Sequence, residues 1–411
     1  MFKIAIMGCG VVGSGVADIL IEKKEELSKR FNDTVELKKI LDLRDFTGTP
    51  YESYATKDAE EIFSDPEIKL IVMTIGGLDF AFNLSKRALE SGRHLVTSNK
   101  EVVAEYGKVL TQLAFDNNVQ FLYEASSGGG IPVIRPINIC LSSNDIYEIQ
   151  GILNGTTNYI LTRMKDDGMS FEDALKLAQK NGYAEAEPSA DVDGHDACRK
   201  IAILSTLAYD EYVDYKKVPC DGIRNISYED LLMSEKLGYS IKLIGGSKKT
   251  DAGISCSVEP LLLPKTNMLS GVSSVFNSVM VKGTYVGDVM FYGRGAGKLP
   301  TASAVAGDII AILCGAEEKV LPGFMSKEAE LVPAGNTPAR YYLRIKLGEA
   351  AKADFDSSAE ALFGKEAKTT EQGEYAAVLT GYFTKEELNS RIAQLEQSIA
   401  VKCENIIKAE D

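Results

Sequence analysis

The run Gly8-Cys9-Gly10-Val11-Val12-Gly13 follows directly on Lys3 to Met7, an apolar stretch whose pattern suits a short buried strand. A GxGxxG in that place needs glycine for a different reason at each position. Gly8 permits a tight turn, Gly10 lets backbone N–H groups approach a pyrophosphate, and Gly13 lets the next helix pack closely. The helix opening at Val11 and Val12 turns its positive N-terminus toward that anion. A lone GxGxxG also suits an ordinary turn, and it is the position at the first strand-to-helix junction that points to a dinucleotide. The acidic residue expected on the adenosine ribose belongs at the end of the second strand, where Asp42 stands. Its carboxylate favours NAD, while Arg44 is suited to a 2′-phosphate, so NAD and NADP both stay open. Thr74-Ile75-Gly76-Gly77 brings further backbone to the carboxyl edge of the same sheet.

Apolar runs at Val35 to Leu41, Leu70 to Ile75, His94 to Thr97 and Val119 to Glu124 alternate with helix-like stretches such as Leu78 to Ser91. That rhythm predicts an α/β class with a parallel, doubly wound Rossmann sheet over residues 1–135. It changes after Pro136: a strand at Ile146 to Leu153, a helix-rich stretch to about Ser247, then strands at Ile254 to Leu263 and Phe276 to Val281. These predict an α+β second domain over 136–333, followed by a linker at Ala334-Gly335-Asn336. The tail, 340–411, predicts a small βαββαβ module: strands at Tyr341 to Leu347, Glu366 to Thr370, Glu374 to Phe383 and Val401 to Ile407, with helices at Ser357 to Phe363 and Lys385 to Ile399. Thr384 and Glu387 have capping-box spacing at the second helix.

A chain of 411 residues needs more than one core. With 59 acidic and 45 basic residues its net charge is −14, which argues against nucleic acid and anionic membranes as partners. Gly8, Gly10, Gly13 and Gly15 break the one stretch that resembles a signal peptide, and no segment is apolar enough to span a bilayer. Seven scattered cysteines without close pairs suit a reducing cytoplasm and no zinc clasp.

Between Gly182 and Lys200 lie carboxylates at Glu185, Glu187, Asp191, Asp193 and Asp196. On a helix starting near Gly194, Asp196 and Lys200 share a face that Ile203 and Leu207 continue with apolar residues. Lys200 would then stand beside the core, where a desolvated ammonium near a second lysine such as Lys100 is suited to exchange protons at neutral pH. The plainer reading is an exposed i, i+4 ion pair in which Lys200 snorkels. His94 and His195, the only histidines, have no metal-site spacing, and His195 is read as a loop residue.

The chain resembles homoserine dehydrogenase over essentially its whole length. The resemblance rests on Gly8 to Gly15, Thr97-Ser98-Asn99-Lys100, Glu124-Ala125-Ser126, Gly128-Gly129-Gly130-Ile131-Pro132, Gly151-Ile152-Leu153-Asn154-Gly155-Thr156-Thr157-Asn158-Tyr159 and Gly182 to Lys200. It implies interconversion of L-aspartate 4-semialdehyde and L-homoserine, hydride transfer with NAD or NADP, and a homodimer or larger homo-oligomer. It implies Lys200 as proton donor, with Asp196 orienting it and Lys100 at the cofactor and substrate junction. Glu185 would bind the substrate ammonium, with Asp191, Gly155 and Thr156 also on the substrate. Ser98 and Lys100 would join Thr74, Ile75 and Gly76 at the cofactor, and Gly297 would lie in a loop returning to the nicotinamide end. Backbone carbonyls of Glu124, Ser127, Gly129 and Ile131 resemble a loop that holds a monovalent cation, sodium, in some members. Ser127 departs from the usual apolar residue there. The tail resembles an ACT domain, but Leu347-Gly348-Glu349-Ala350-Ala351 replaces the usual ligand loop. Two other readings fit the residues: an oxidoreductase for another small amino or hydroxy acid, and a nucleotide-sensing regulator without chemistry.

Overall fold

The computed structural model describes residues 2–315, 323–332, 338–347 and 354–410. The linker read at 334–336 and the tail loop at 348–351 lie outside them. The described chain gathers into two compact units. The first holds residues 1–149, 199–217 and 281–329, and the second holds 150–198, 218–280 and 330–411.

The first unit is built on β1 (Phe2–Met7), α1 (Val11–Glu22), α2 (Lys24–Phe31), β2 (Val35–Leu41), β3 (Ala55–Thr56), α3 (Glu60–Phe63), β4 (Ile68–Met73), α4 (Asp79–Glu90), β5 (His94–Thr97), α5 (Lys100–Asp116) and β6 (Phe121–Leu122). The six strands form one sheet in the order β3-β2-β1-β4-β5-β6, and the registered pairs are parallel. Ile4, Ile6, Leu70 and Val72 are completely buried, as a parallel sheet covered on both faces requires. Sheet order reverses between β1 and β4, so the loops after Met7 and Met73 flank the switch point where such folds take ligands.

The chain continues through β7 (Ile146–Ile152), α6 (Gly155–Asp167), α7 (Phe171–Lys180), α8 (Ser189–Val192), α9 (His195–Tyr209), α10 (Tyr228–Lys236), β8 (Tyr239–Thr250), β9 (Gly253–Pro264), β10 (Phe276–Gly283), β11 (Gly287–Arg294) and α11 (Lys298–Leu313). The tail is β12 (Arg340–Lys346), α12 (Phe355–Phe363), β13 (Lys368–Gln372), β14 (Tyr375–Leu379), α13 (Lys385–Ile399) and β15 (Lys402–Ala409). A nine-stranded mixed sheet runs β11-β10-β7-β8-β9-β15-β12-β14-β13. Within the tail the order β15-β12-β14-β13 is that of a split βαβ fold, and Thr384 and Glu387 form the expected capping box.

Two features depart from the sequence reading. The stretch read as helix-rich to Ser247 ends in β8, whose twelve residues pair in full with β9. The described residues from 281 on, 281–315 and 323–329, return to the first unit, where Ala302, Val305 and Ile309 of α11 enter the same core as Ile4, Val16 and Val72.

Candidate active site

In the first unit, the glycine loop behaves as its spacing requires. Gly8 has φ +93°, and a Cβ there would fall 2.8 Å from the Ile75 nitrogen. At Gly13 a Cβ would come within 1.9 Å of the Gly8 carbonyl, so this glycine lets α1 reach the sheet. Gly10 is different: a Cβ there meets nothing within 4 Å, which leaves open space beside the N-terminus of α1. Gly10 caps that helix without a side-chain hydrogen bond, so the first-turn N–H groups keep their capacity for an anion. Val11, at the first helical position, is 68% exposed, and Val12 follows it half-buried.

Asp42 stands just beyond β2 and accepts hydrogen bonds from Cys9 N (2.7 Å), Arg44 N (3.0 Å), Arg44 Nε (2.9 Å) and Arg44 Nη2 (2.8 Å). The Arg44 guanidinium, with the two backbone N–H groups, holds the Asp42 carboxyl far below the usual carboxylate range. The two residues that pointed to opposite cofactors are thus one bidentate pair.

The second glycine loop is anchored by a residue to which the sequence alone assigns no role. Asn99 caps α5 through Oδ1, which accepts from Glu101 N and Val102 N, while its Nδ2 donates to the carbonyls of Ile75 (3.0 Å) and Gly77 (2.8 Å). Thr74 Oγ1 donates to the Gly8 carbonyl at 2.5 Å. One asparagine and one threonine therefore tie Gly76, the Gly8 turn and the start of α5, where Ser98 and Lys100 flank Asn99. Gly297, at φ +124°, caps α11 without a side-chain bond. Gly15 of α1 sits so close to Lys298 and Ala302 that a Cβ would meet them at 2.9 Å. The starts of α1 and α11 therefore lie side by side, and Lys298 closes on Asp18 at 2.7 Å.

Loop 124–131 is held from within. The buried Glu124 carboxylate accepts from the backbone N–H of Val133 (2.6 Å), Ile134 (2.7 Å) and Arg135 (2.8 Å). Asp308 of α11 accepts from Glu124 N (2.9 Å) and Arg135 Nη2 (2.6 Å). Gly129, at φ +60°, lies against Gly295, where a Cβ would come within 1.9 Å of the carbonyl. Ile131 N donates to the Gly128 carbonyl at 2.9 Å. The Ser126 and Ser127 hydroxyls are buried without a hydrogen-bond partner among the described residues. No three His, Cys, Asp or Glu side chains among the described residues gather as a metal cage.

In the second unit two of the acidic residues, Asp191 and Asp196, meet at Asn154. Its Oδ1 caps α6 by accepting from Thr157 N at 2.8 Å, and its Nδ2 donates to Asp191 Oδ1 (2.7 Å) and Asp196 Oδ2 (2.8 Å). One buried amide thus holds two carboxylates of like charge, an arrangement that attracts a cation such as a substrate ammonium. Thr156 Oγ1 donates to the Tyr183 carbonyl at 2.6 Å, and Gly155 has no room for a Cβ against the Val275 carbonyl at 2.8 Å. Glu185 is exposed, its own carbonyl accepting from Gln179 Nε2 at 3.0 Å, and no hydrogen bond ties its carboxylate to Asn154.

Asp196 and Lys200 both lie on α9, one turn apart, and both are buried: Asp196 is 2% and Lys200 7% exposed. Lys200 is therefore no snorkelling surface lysine. It counts with the first unit, as does Lys100. His195 is not a loop residue as read from the sequence; Gly194 makes the turn at φ +85°, and His195 is the first, exposed residue of α9. His94 Nδ1 accepts from Gln120 N at 3.1 Å, a structural role.

Two family profiles match the chain. One described as homoserine dehydrogenase, NAD binding domain, covers residues 8–124, and one described as homoserine dehydrogenase covers residues 132–310. A homoserine dehydrogenase of Neisseria gonorrhoeae is 36% identical over 96% of this chain and 95% of its own length. One of Synechocystis is 43% identical over 76% of this chain and 73% of its own. The crystal structure of a homoserine dehydrogenase from Thiobacillus denitrificans superposes with a TM-score of 0.87 at 32% identity, covering all of this chain and 98% of that one. A hyperthermophilic archaeal homoserine dehydrogenase mutant, solved with NADPH, matches 77% of this chain and 98% of its own with a TM-score of 0.65 at 29% identity. Among the described residues no helix is long and apolar enough to cross a membrane.

Proposed function

The chain belongs to the homoserine dehydrogenase family, whose NAD(P)-dependent reaction interconverts L-aspartate 4-semialdehyde and L-homoserine, and we propose how its own residues divide that work. The observation that carries the proposal is Asn154, whose amide gathers Asp191 with Asp196, which lies one helical turn before the buried Lys200.

The open space at Gly10 and the uncapped start of α1 fit a dinucleotide pyrophosphate, which Gly10 and the N–H groups of Val11, Val12 and Gly13 would hold. A nicotinamide cofactor held there would supply the hydride chemistry, exchange with the alcohol carbon of homoserine in one direction and with the aldehyde carbon in the other. Asp42 addresses the adenosine ribose, and Arg44 swings from Asp42 to a 2′-phosphate when NADP is the cofactor. Thr74, Ile75, Gly76, Ser98 and Gly297 line the remainder of the cofactor path, with Lys100 at its substrate end. Asp191 and Asp196 attract the substrate ammonium, joined by Glu185, while Gly155 and Thr156 shape the floor beneath them. Lys200 gives a proton to the aldehyde oxygen during reduction and takes it back during oxidation, and Asp196 orients it.

A monovalent cation such as sodium fits the loop of Glu124, Ser127, Gly129 and Ile131: the Glu124 carboxylate is committed to three N–H groups, so carbonyls are the donors, and the orphaned Ser127 hydroxyl supplies a further oxygen. We read the β15-β12-β14-β13 tail as an ACT-like module that serves assembly, the protein as a homodimer or larger homo-oligomer, and its compartment as the cytoplasm.

The test is Lys200→Ala. Homoserine oxidation falls by about 10²- to 10⁴-fold, the scale of a lost general acid and base, while dinucleotide affinity measured by fluorescence titration is unchanged. Turnover retained within a few fold rules Lys200 out as the proton carrier.

A further inference from the structure

Lys242 lies far along the chain from every residue given a role above, on β8. It is 8% exposed, and its Nζ donates to the Val272 carbonyl at 2.5 Å and to Asn158 Oδ1 at 3.3 Å. Both acceptors are neutral, and among the described residues no carboxylate lies within ion-pair distance of it. An ammonium has three N–H groups, so these two bonds leave one to be satisfied. A lysine buried without a counter-charge is costly, and a tether between β8, α6 and the 270–273 turn could be made by a neutral donor at less expense.

Beside this lysine the second unit contains a cavity of about 200 Å³. Lys242 lines it, together with the apolar side chains of Leu161 and Ile241 and the hydroxyl-bearing Ser240, Ser270 and Ser273. The other charged groups facing Lys242 are few. Lys165 and Asp166 of α6 line the cavity; Lys165 pairs with Glu235 of α10 at 2.9 Å, a carboxylate it shares with Lys265 at 3.4 Å, and Asp166 pairs with Arg163 at 3.4 Å. β9 presents Leu261 opposite Lys242, and the 270–273 turn offers no charge. An ammonium without an ion-pair partner, three serine hydroxyls and an apolar wall therefore share one small space.

We propose that this cavity is a second ligand site, taking a small organic monocarboxylate whose oxygens accept from Lys242 and the serine hydroxyls. A single negative charge matches the ammonium of Lys242, whereas a phosphate dianion would bring twice the charge against Asp166. Burial, helped by Lys165 and opposed by Asp166, pushes the Lys242 ammonium down to about 8. The carboxylate binds the protonated form, so affinity is greatest below that value and falls as pH rises through it.

The experiment uses the full chain and sodium acetate or propionate as probe, against sodium chloride at equal ionic strength and against inorganic phosphate. Binding is read by isothermal calorimetry and by the thermal unfolding midpoint. The wild type should bind acetate and propionate in the millimolar range at pH 7 and about tenfold or more weakly at pH 9.5. Lys242→Met should abolish the response. Ser273→Phe, at an exposed position of the mouth, should abolish it too while leaving homoserine turnover unchanged, which keeps the test open if Lys242→Met does not fold. An acetate response equal to that of chloride, or one that survives in Ser273→Phe, overturns the site. Tighter binding of phosphate than of acetate overturns the monocarboxylate class. Loss of turnover in Lys200→Ala bears on neither result, so this proposal and the catalytic one fail separately.

Discussion

Asn154→Ala removes three interactions with one side chain: the cap of α6 at Thr157 N and the two bonds to Asp191 and Asp196. An N-cap contributes about 1 kcal/mol, and a hydrogen bond to a charged group about 1.5–3 kcal/mol. Because the three share one amide they do not add in full, and a loss on the order of 3–5 kcal/mol is expected. That is a large fraction of the roughly 5–15 kcal/mol available to a domain, so urea unfolding should register it as a clear fall in midpoint at an unchanged slope. Asn154→Ser separates the two roles. Its hydroxyl still caps α6 and should recover about 1 kcal/mol, but it cannot reach both carboxylates. Without the shared amide Asp191 and Asp196 repel, and the KM for homoserine should rise roughly tenfold or more in both variants with dinucleotide affinity unaltered, since about 1.4 kcal/mol of lost substrate binding is a factor of ten. A wild-type KM in Asn154→Ser would refute the reasoning and reduce Asn154 to a helix cap.

Gly10→Ala should leave stability within about 0.5 kcal/mol but weaken dinucleotide binding, whereas Gly13→Ala, whose Cβ would meet the Gly8 carbonyl, should destabilise the apo chain by about 1–3 kcal/mol; calorimetric titration and denaturation tell them apart. Arg44→Ala should raise the KM for NADP far more than that for NAD, and equal effects would show that Arg44 serves Asp42 alone. Hydrogen bonds from Arg44 hold the Asp42 carboxyl well below the ordinary carboxylate range, so its stabilising contribution is present above that range and lost as pH falls through the depressed value; Asp42→Asn should flatten the acid limb of the urea midpoint plotted against pH. Asp230 is completely buried and accepts from Ser227 N, Tyr342 Oη, Asn405 Nδ2 and Arg344 Nη1. Asp230→Ala should cost about 3–5 kcal/mol by removing four hydrogen bonds and leaving the 11% exposed Arg344 with Glu404 alone at 3.8 Å, and a midpoint within experimental scatter of wild type would exclude this anchor of β12 and β15 on α10.

Local rules made much of this protein legible before folding. Glycines at Gly8, Gly10 and Gly13 announce a turn, an approach and a close packing because no other residue meets those backbone demands. The capping box of Thr384 and Glu387 and the burial pattern of β1, β2 and β4 depend on neighbours a few residues away, and periodicity reads such neighbours well. The tail showed its element order for the same reason. The strand β8 was not legible: Tyr239 to Thr250 contains Gly245-Gly246 and three lysines and has weak alternation, and it is extended because β9 pairs with all twelve of its residues.

The site divides along the same line. That Asn154 starts a helix is readable from residue type; that its amide meets Asp191 and Asp196, 37 and 42 residues on, is not. Nor could the sequence tell that Glu124 turns its carboxylate onto the N–H groups of Val133, Ile134 and Arg135, or that α11 returns from residue 298 to the core of β1 and β4. Sequence by itself determined which short segments bind, turn and cap, since those are contests among adjacent groups. Tertiary structure alone decided which distant charges share a partner, because burial far along the chain selects the few polar pairings that leave no donor or acceptor stranded.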